Sequence, residues 1–145
     1  ETMTDDEIQT FTGSAETIGV RGRVMASARQ RHFLIDATSK RDGLEPECPN
    51  AGEIFLTSLS GCAAIILNSE AAKREIAPFH AKITTHGHRR TSVPNKFTSI
   101  EMDFELSGVS QKLAEELVGV FQDQCPIYDI AVSGLGVSVK VTAVG

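Results

Sequence analysis

Between Glu53 and Glu75 the chain carries Ile54, Phe55, Leu56, Leu59, Cys62, Ala63, Ile65, Ile66 and Leu67, and it turns charged only after Asn68. Apolar residues cover nearly every face of a helix built from this segment, and such a helix is buried. Asn50 suits the N-cap, and Glu53 then stands at the third helical position, where its carboxylate reaches back to close a capping box. Pro78 ends the helix. One small sheet covers only one side of such a rod. The helix therefore lies between two layers or meets a second subunit, and a homodimer is expected.

The flanking segments supply the sheets. Residues 1–17 read as a loosely held arm, with Ile8 and Phe11 as the only bulky apolar residues, ahead of a domain over 18–145. Ile18 to Ala26 and His32 to Ala37 read as two strands of a hairpin with a turn at Ser27 to Gln30. Thr38 to Gly52, with Pro46 and Pro49, is a loop. Phe79 to Arg89 and Phe97 to Leu106 alternate as half-buried strands do, the second with Ile100, Met102, Phe104 and Leu106 on one face. Ser110 caps a helix to Gln124 with a Leu113, Leu117, Val120, Phe121 stripe. Pro126 either starts a further short helix or ends this one. Val137 to Val144 alternates as a last strand. The order β-β-α-β-β-α-β, with two helices covering a mostly antiparallel sheet, is an α+β fold.

Composition narrows the function. With 145 residues, 41% hydrophobic and 23% charged, the chain is one ordinary globular domain. A formal net charge of -5 argues against nucleic acid as partner. No apolar run approaches the roughly 18 to 20 residues of a transmembrane helix, so no membrane partner is expected. The acidic, polar start does not read as a signal peptide. Three widely spaced cysteines do not make a secreted disulfide scaffold, which points to a reducing, cytoplasmic setting.

Chemistry is sparse elsewhere. The three cysteines and four histidines lack zinc spacing, so no metal is expected; His80, His86 and His88 read as surface strand residues. No phosphate-binding glycine loop and no GxSxG elbow is present, and no cofactor is implied. Cys62 sits mid-helix, where cysteine often serves only as a small hydrophobe. Cys125 stands at a helix boundary before proline, where free backbone N–H groups can stabilise a thiolate. Cys48, in a loop beside Pro49, is incidental.

The stretch Pro49-Asn-Ala-Gly-Glu-Ile-Phe-Leu-Thr-Ser-Leu-Ser-Gly-Cys62 resembles the helix that carries the first cysteine in the OsmC/Ohr superfamily, and Gln124-Cys-Pro-Ile-Tyr-Asp-Ile130 resembles its second-cysteine motif. Gly87 to Gly108 resembles the paired strands between the helices in one branch, so the similarity runs from about Ile18 to the end. The resemblance implies an intertwined homodimer with mostly antiparallel sheets packed on two central cysteine-bearing helices. It implies thiol-dependent reduction of organic hydroperoxides in oxidative-stress defence. Cys62 would attack the peroxide, Cys125 would resolve the sulfenic acid to a disulfide, and a cellular dithiol would reduce it. The Ohr branch places its catalytic glutamate ten residues before the first cysteine. Gly52 stands there in this chain; Glu53, one residue later, matches other OsmC-like branches and is either catalytic or a helix cap. The supporting arginine of that branch falls in the region of Arg21 and Arg23, neither of them in the family's glycine-rich context. Two other readings remain open: a non-catalytic dimer that binds a small apolar ligand in the same pocket, and a thiol redox sensor.

Overall fold

A computed structural model of the chain describes residues 7–138 and 140–142. It divides into two compact units, Glu1–Ile54 and Phe55–Gly145. The first holds a three-stranded antiparallel sheet of β1 (Ser14–Thr17), β2 (Arg23–Ala28) and β3 (Arg31–Asp36), in that order. The β2–β3 hairpin turns through Arg29 and Gln30, both at positive φ. Two such residues make the primed turn whose twist matches paired strands. β2 therefore runs through Ser27, which the sequence assigns to the turn. Its other end starts five residues later than Ile18.

β1 is a strand that the sequence reading, which takes 1–17 as a loosely held arm, does not contain. Ser14 to Thr17 pair with Ser27 to Val24. The strand carries no apolar alternation because it is exposed along its whole length, so backbone pairing alone holds it and no hydrophobic pattern announces it.

The centre of this unit is ionic. Asp36 is buried and accepts from Arg23 Nε at 3.0 Å, from the Thr38 hydroxyl at 2.6 Å and from the Thr38 and Glu47 backbone N–H groups, each at 2.9 Å. Arg23 also donates to the Glu45 carbonyl at 2.9 Å. One carboxylate thereby ties two strands to the loop over 44–49. The Glu47 N–H foremost, then the Thr38 hydroxyl, hold the Asp36 carboxyl well below the usual carboxylate range; burial opposes them, and the Thr38 N–H and Arg23 add to them.

Helix α1 (Ala51–Lys73) begins at the capping box expected from the sequence. The Glu53 N–H donates to Asn50 Oδ1 at 2.8 Å, and Glu53 Oε1 accepts from the Asn50 N–H at 3.0 Å. Leu59, Ala63, Leu67 and Ala71 form its buried stripe, at four-residue spacing. That stripe is the face covered within one chain: Ile65, on another face, is 70% exposed, so the chain by itself does not supply the all-round cover expected for this helix. By length and composition alone α1 is also apolar enough to cross a membrane, contrary to the sequence reading, because its interior serines, threonine and glycine dilute hydropathy little. A core helix meets the same criterion, and the stripe of α1 packs on protein.

In the second unit, β4 (His80–His88) and β5 (Ser99–Ser107) form an antiparallel ribbon in which Ile83 faces Phe104 and Thr85 faces Met102. The alternating burial of both strands follows their sequence pattern. His86 and His88 stand on the exposed face beside Asp103 and Glu101, at 3.4 and 3.3 Å. Helix α2 (Gln111–Gln124) starts at Ser110, whose hydroxyl accepts from the Leu113 N–H, and α3 (Pro126–Ser133) follows with Pro126 at its first turn. Gly108 turns the chain from β5 toward α2 at a φ of +90°, and a Cβ there would strike the Pro78 carbonyl. The last strand expected over Val137 to Val144 is not formed at 137, 138 or 140–142, while 139 and 143–145 lie outside the described residues. Val137 and Val141 are 85% and 86% exposed; an alternating segment with no strand to pair with stays extended and unladdered.

The Asp36 centre carries a pH test. Its carboxyl pKa is lowered by folding, so its contribution is present above the unfolded value of about 3.9 and is lost as pH falls below it. Asp36→Asn leaves Arg23 without its charge partner and is expected to lower the melting temperature by roughly 5–10 °C at pH 7. The gap to wild type should narrow below about pH 4. A gap that stays constant from pH 7 to pH 3 would show that the charge contributes nothing.

Candidate functional site

Cys62 lies on α1 next to the buried Ala63, and Cys125 is both the C-cap of α2 and the N-cap of α3. A residue at which one helix ends and the next begins closes the last turn of one with its N–H and opens the first turn of the other with its carbonyl, which here accepts from the Asp129 N–H. The Cys125 N–H bonds the Phe121 carbonyl, and its Sγ accepts from the Tyr128 N–H at 3.3 Å. Ala63, Phe121 and Cys125 form a buried cluster, with Cys62, Ile83, Met102, Phe104 and Tyr128 packed against it. Phe121 stands between Phe104 and Tyr128, with ring centroids 5.7 and 5.2 Å apart. Such tilted pairs are each worth about 1 kcal/mol beyond burial, and they fix the junction against β5.

The junction sets the two sulfurs 2.8 Å apart. Both are free thiols, Cys125 buried and Cys62 partly so. A disulfide needs sulfurs at about 2.05 Å, so less than about 1 Å of closure separates the pair from a bond. Burial pushes the Cys62 thiol up to about 12, and the hydrogen bond and negative charge of Cys125 add to that. Two thiolates do not coexist at this spacing, and the two sulfurs share one hydrogen bond, from Cys125 Sγ to Cys62 Sγ.

The other residues singled out in the sequence are placed differently. Glu53 spends its carboxylate in the capping box with Asn50. Arg23 is committed to Asp36, and Arg21 is exposed. Cys48 is a partly buried free thiol in the loop before α1.

Beside the cysteine cluster lies a groove of about 520 Å³, lined chiefly by Phe55, Leu59, Phe97, Ile100, Met102 and Tyr128. Among the described residues no charged side chain lines it. Met102 and Tyr128 belong both to this lining and to the shell packed on Ala63, Phe121 and Cys125, so these two residues stand between the groove and the cysteine cluster. Phe97 is 44% exposed at its edge and lies over Gly87, where a Cβ would come within 2.8 Å of the ring and within 3.1 Å of Leu56 Cδ1.

Sequence reasoning did not find Tyr128 or the groove. Tyr128 had a signal: with Pro126 at the first helical position, Cys125 becomes the N-cap, and the third residue after a cap donates its N–H to the cap side chain. The groove had none, because it arises between elements distant in sequence.

A family profile described as OsmC-like protein matches residues 43–140. The chain belongs to this OsmC-like family. Among solved structures, an OsmC-like protein from Mycoplasma pneumoniae is 20% identical, covers 92% of this chain and 96% of its own, and superposes with a TM-score of 0.72. An organic hydroperoxide resistance protein OsmC from Legionella pneumophila is 19% identical, with coverages of 89% and 93% and a TM-score of 0.62. One from Elizabethkingia anophelis is 15% identical, with coverages of 88% and 91% and a TM-score of 0.63. At these identities the likeness carries the fold, an α+β arrangement of antiparallel sheets and helices. No curated protein matches the chain by sequence.

Two measurements probe this OsmC-like site. Gly87→Ala should push Phe97 off the groove edge and change KM for an aryl hydroperoxide, or the Kd of an apolar fluorescent probe, by about fivefold, the equivalent of one partly buried ring contact of ~1 kcal/mol. An unchanged constant would mean that Phe97 does not bound the binding space. In Cys125→Ser, the hydrogen bond and charge that raise Cys62 are gone while burial persists. The pH midpoint of iodoacetamide labelling at Cys62 should therefore fall below its wild-type value yet stay above the ordinary thiol value of about 8.5. A midpoint at or below that value would show that burial is not the main cause.

Proposed function

We propose that this OsmC-like chain reduces organic hydroperoxides through Cys62 and Cys125 in oxidative-stress defence, as a homodimer in a reducing cytoplasm. The observation that carries the reading is the 2.8 Å sulfur separation beside an apolar groove. The family supports it, as do structural neighbours named organic hydroperoxide resistance proteins.

The chemistry follows from the pair. The Cys62 sulfur attacks the terminal oxygen of ROOH as its proton passes to the departing oxygen. The O–O bond breaks, the alkoxide takes up that proton and leaves as ROH, and Cys62 becomes a sulfenic acid. Cys125 then attacks that sulfur, releases water and forms the disulfide. A dithiol restores both thiols by exchange and is itself oxidised to a disulfide. Reaction of a thiol in an apolar setting favours peroxides with an apolar substituent, which the groove can hold, over hydrogen peroxide, which gains nothing from it.

Glu53 and the arginines enter this reading less directly. Glu53 fixes the start of the helix that carries Cys62, with a catalytic role open only if its carboxylate leaves the cap. Arg23 serves the Asp36 centre, and Arg21 is exposed. The homodimer is motivated by apolar residues without cover in one chain, Ile65 at 70% and Leu135 at 68% exposure among them.

Substitution separates the roles. Cys62→Ser should abolish peroxide consumption, a loss of at least about 10³-fold for removal of a nucleophile. Cys125→Ser should consume one equivalent and then accumulate sulfinic acid at Cys62, whereas wild type forms the disulfide; peptide mass spectrometry reads each species. Full turnover in Cys62→Ser would reverse the roles. Binding of apolar peroxides with no oxidation at either cysteine would favour the ligand-binding reading.

A further inference from the structure

The groove contains a sulfur that the two-cysteine chemistry does not use. Met102 lies on β5 opposite Thr85, half-buried, and its side chain belongs to the groove lining and to the shell packed on Ala63, Phe121 and Cys125. A peroxide that fills the groove meets this thioether directly, with the thiol pair in the adjoining cluster. The two sulfurs differ in how they react. Cys62 must lose a proton that its surroundings hold tightly, while a thioether is unprotonated at every working pH and needs no base.

We propose that Met102 is a second oxidation site of this centre, modified by the hydroperoxide held in the groove once the cysteine pair is already a disulfide. This rests on the hydroperoxide reading above and extends it to regulation of the same site. The Met102 sulfur donates a lone pair to the terminal oxygen of ROOH. The O–O bond breaks, the S–O bond forms, and the proton on the transferred oxygen passes to the departing oxygen to give ROH. Sulfur loses two electrons and the peroxide gains them, so no further oxidant or reductant is needed. The product is a sulfoxide, polar where the lining was apolar. It opposes the next apolar substrate, and the groove closes to peroxide when supply outruns the dithiol. Sulfoxide reduction by a cellular reductase of that class would reopen it.

The chain contains its own comparison. Met25, on β2, is likewise partly buried but lines no part of the groove. Wild-type protein is treated with excess cumene hydroperoxide, without reductant, and in parallel with hydrogen peroxide. Peptide mass spectrometry follows the Cys62–Cys125 disulfide and the sulfoxides of Met102 and Met25. The expected result with cumene hydroperoxide is disulfide first, then Met102 sulfoxide several-fold faster than Met25 sulfoxide. With hydrogen peroxide, which the groove does not concentrate, that preference should shrink. Equal or slower oxidation of Met102 with cumene hydroperoxide overturns the inference, and so does the same ratio with both oxidants, which would report exposure alone. Disulfide formation without preferred Met102 oxidation defeats this inference and leaves the two-cysteine reading standing. Preferred Met102 oxidation with no disulfide defeats that reading, and with it the order of oxidation inferred here.

Discussion

Ala63 is a small residue in the place where a large one would separate the two halves of the site. It is fully buried, one residue after Cys62, and it touches Phe121 and Cys125. A bulkier side chain there would hold the α2–α3 junction off α1, and the interior has no room to absorb such a change. Leu59, Leu67 and Ala71 continue the same stripe, and each fully buried leucine adds about 2 kcal/mol. The stripe anchors α1, the anchored helix fixes Cys62, and the junction delivered onto Ala63 fixes Cys125. The sulfur separation is thus a consequence of core packing rather than of any local cysteine motif.

This dependence explains what the sequence disclosed. Elements governed by local rules were legible: the Asn50–Glu53 capping box, the Ser110 cap, Pro126 at a helix start, and the period-two faces of β4 and β5. Elements governed by non-local partners were not. β1 lacks a hydrophobic pattern because both its faces are exposed. Val137 to Val144 has the pattern, yet its described part has no ladder, since alternation expresses a preference for a sheet that pairing must still supply. Asp36 is a charged residue at a strand end, which sequence rules place at the surface. Only the converging donors of Thr38, Glu47 and Arg23 make its burial tolerable.

The two cysteines show the same division. The chemistry of Cys125 was partly legible, because a residue between a helix end and a proline exposes backbone donors. The environment of Cys62 was legible as apolar, but its partner was not derivable from spacing: 63 positions separate the two in sequence. The resemblance to a family paired them, and the packing on Ala63 gives that pairing its physical cause. For Arg23 the reverse holds. The resemblance put it, with Arg21, in the region from which one branch of the family draws a supporting arginine, while its hydrogen bonds commit it to Asp36 and Glu45.

An apolar setting has two opposed effects on this site. It makes a groove suited to apolar molecules, and it withholds ionisation from Cys62, whose thiolate is the reactive form. A cation beside Cys62 would relieve the second effect, but it would also bring water and anionic ligands into the groove and weaken the first. Cys125 meets the same setting without a charge. Its sulfur accepts from the Tyr128 N–H at a helix start and is itself apolar enough to remain in the core. A backbone donor can polarise a sulfur where a charged side chain would cost the lining its apolar character. The short sulfur separation and the apolar groove are therefore compatible, and the packing at Ala63 maintains the first without disturbing the second.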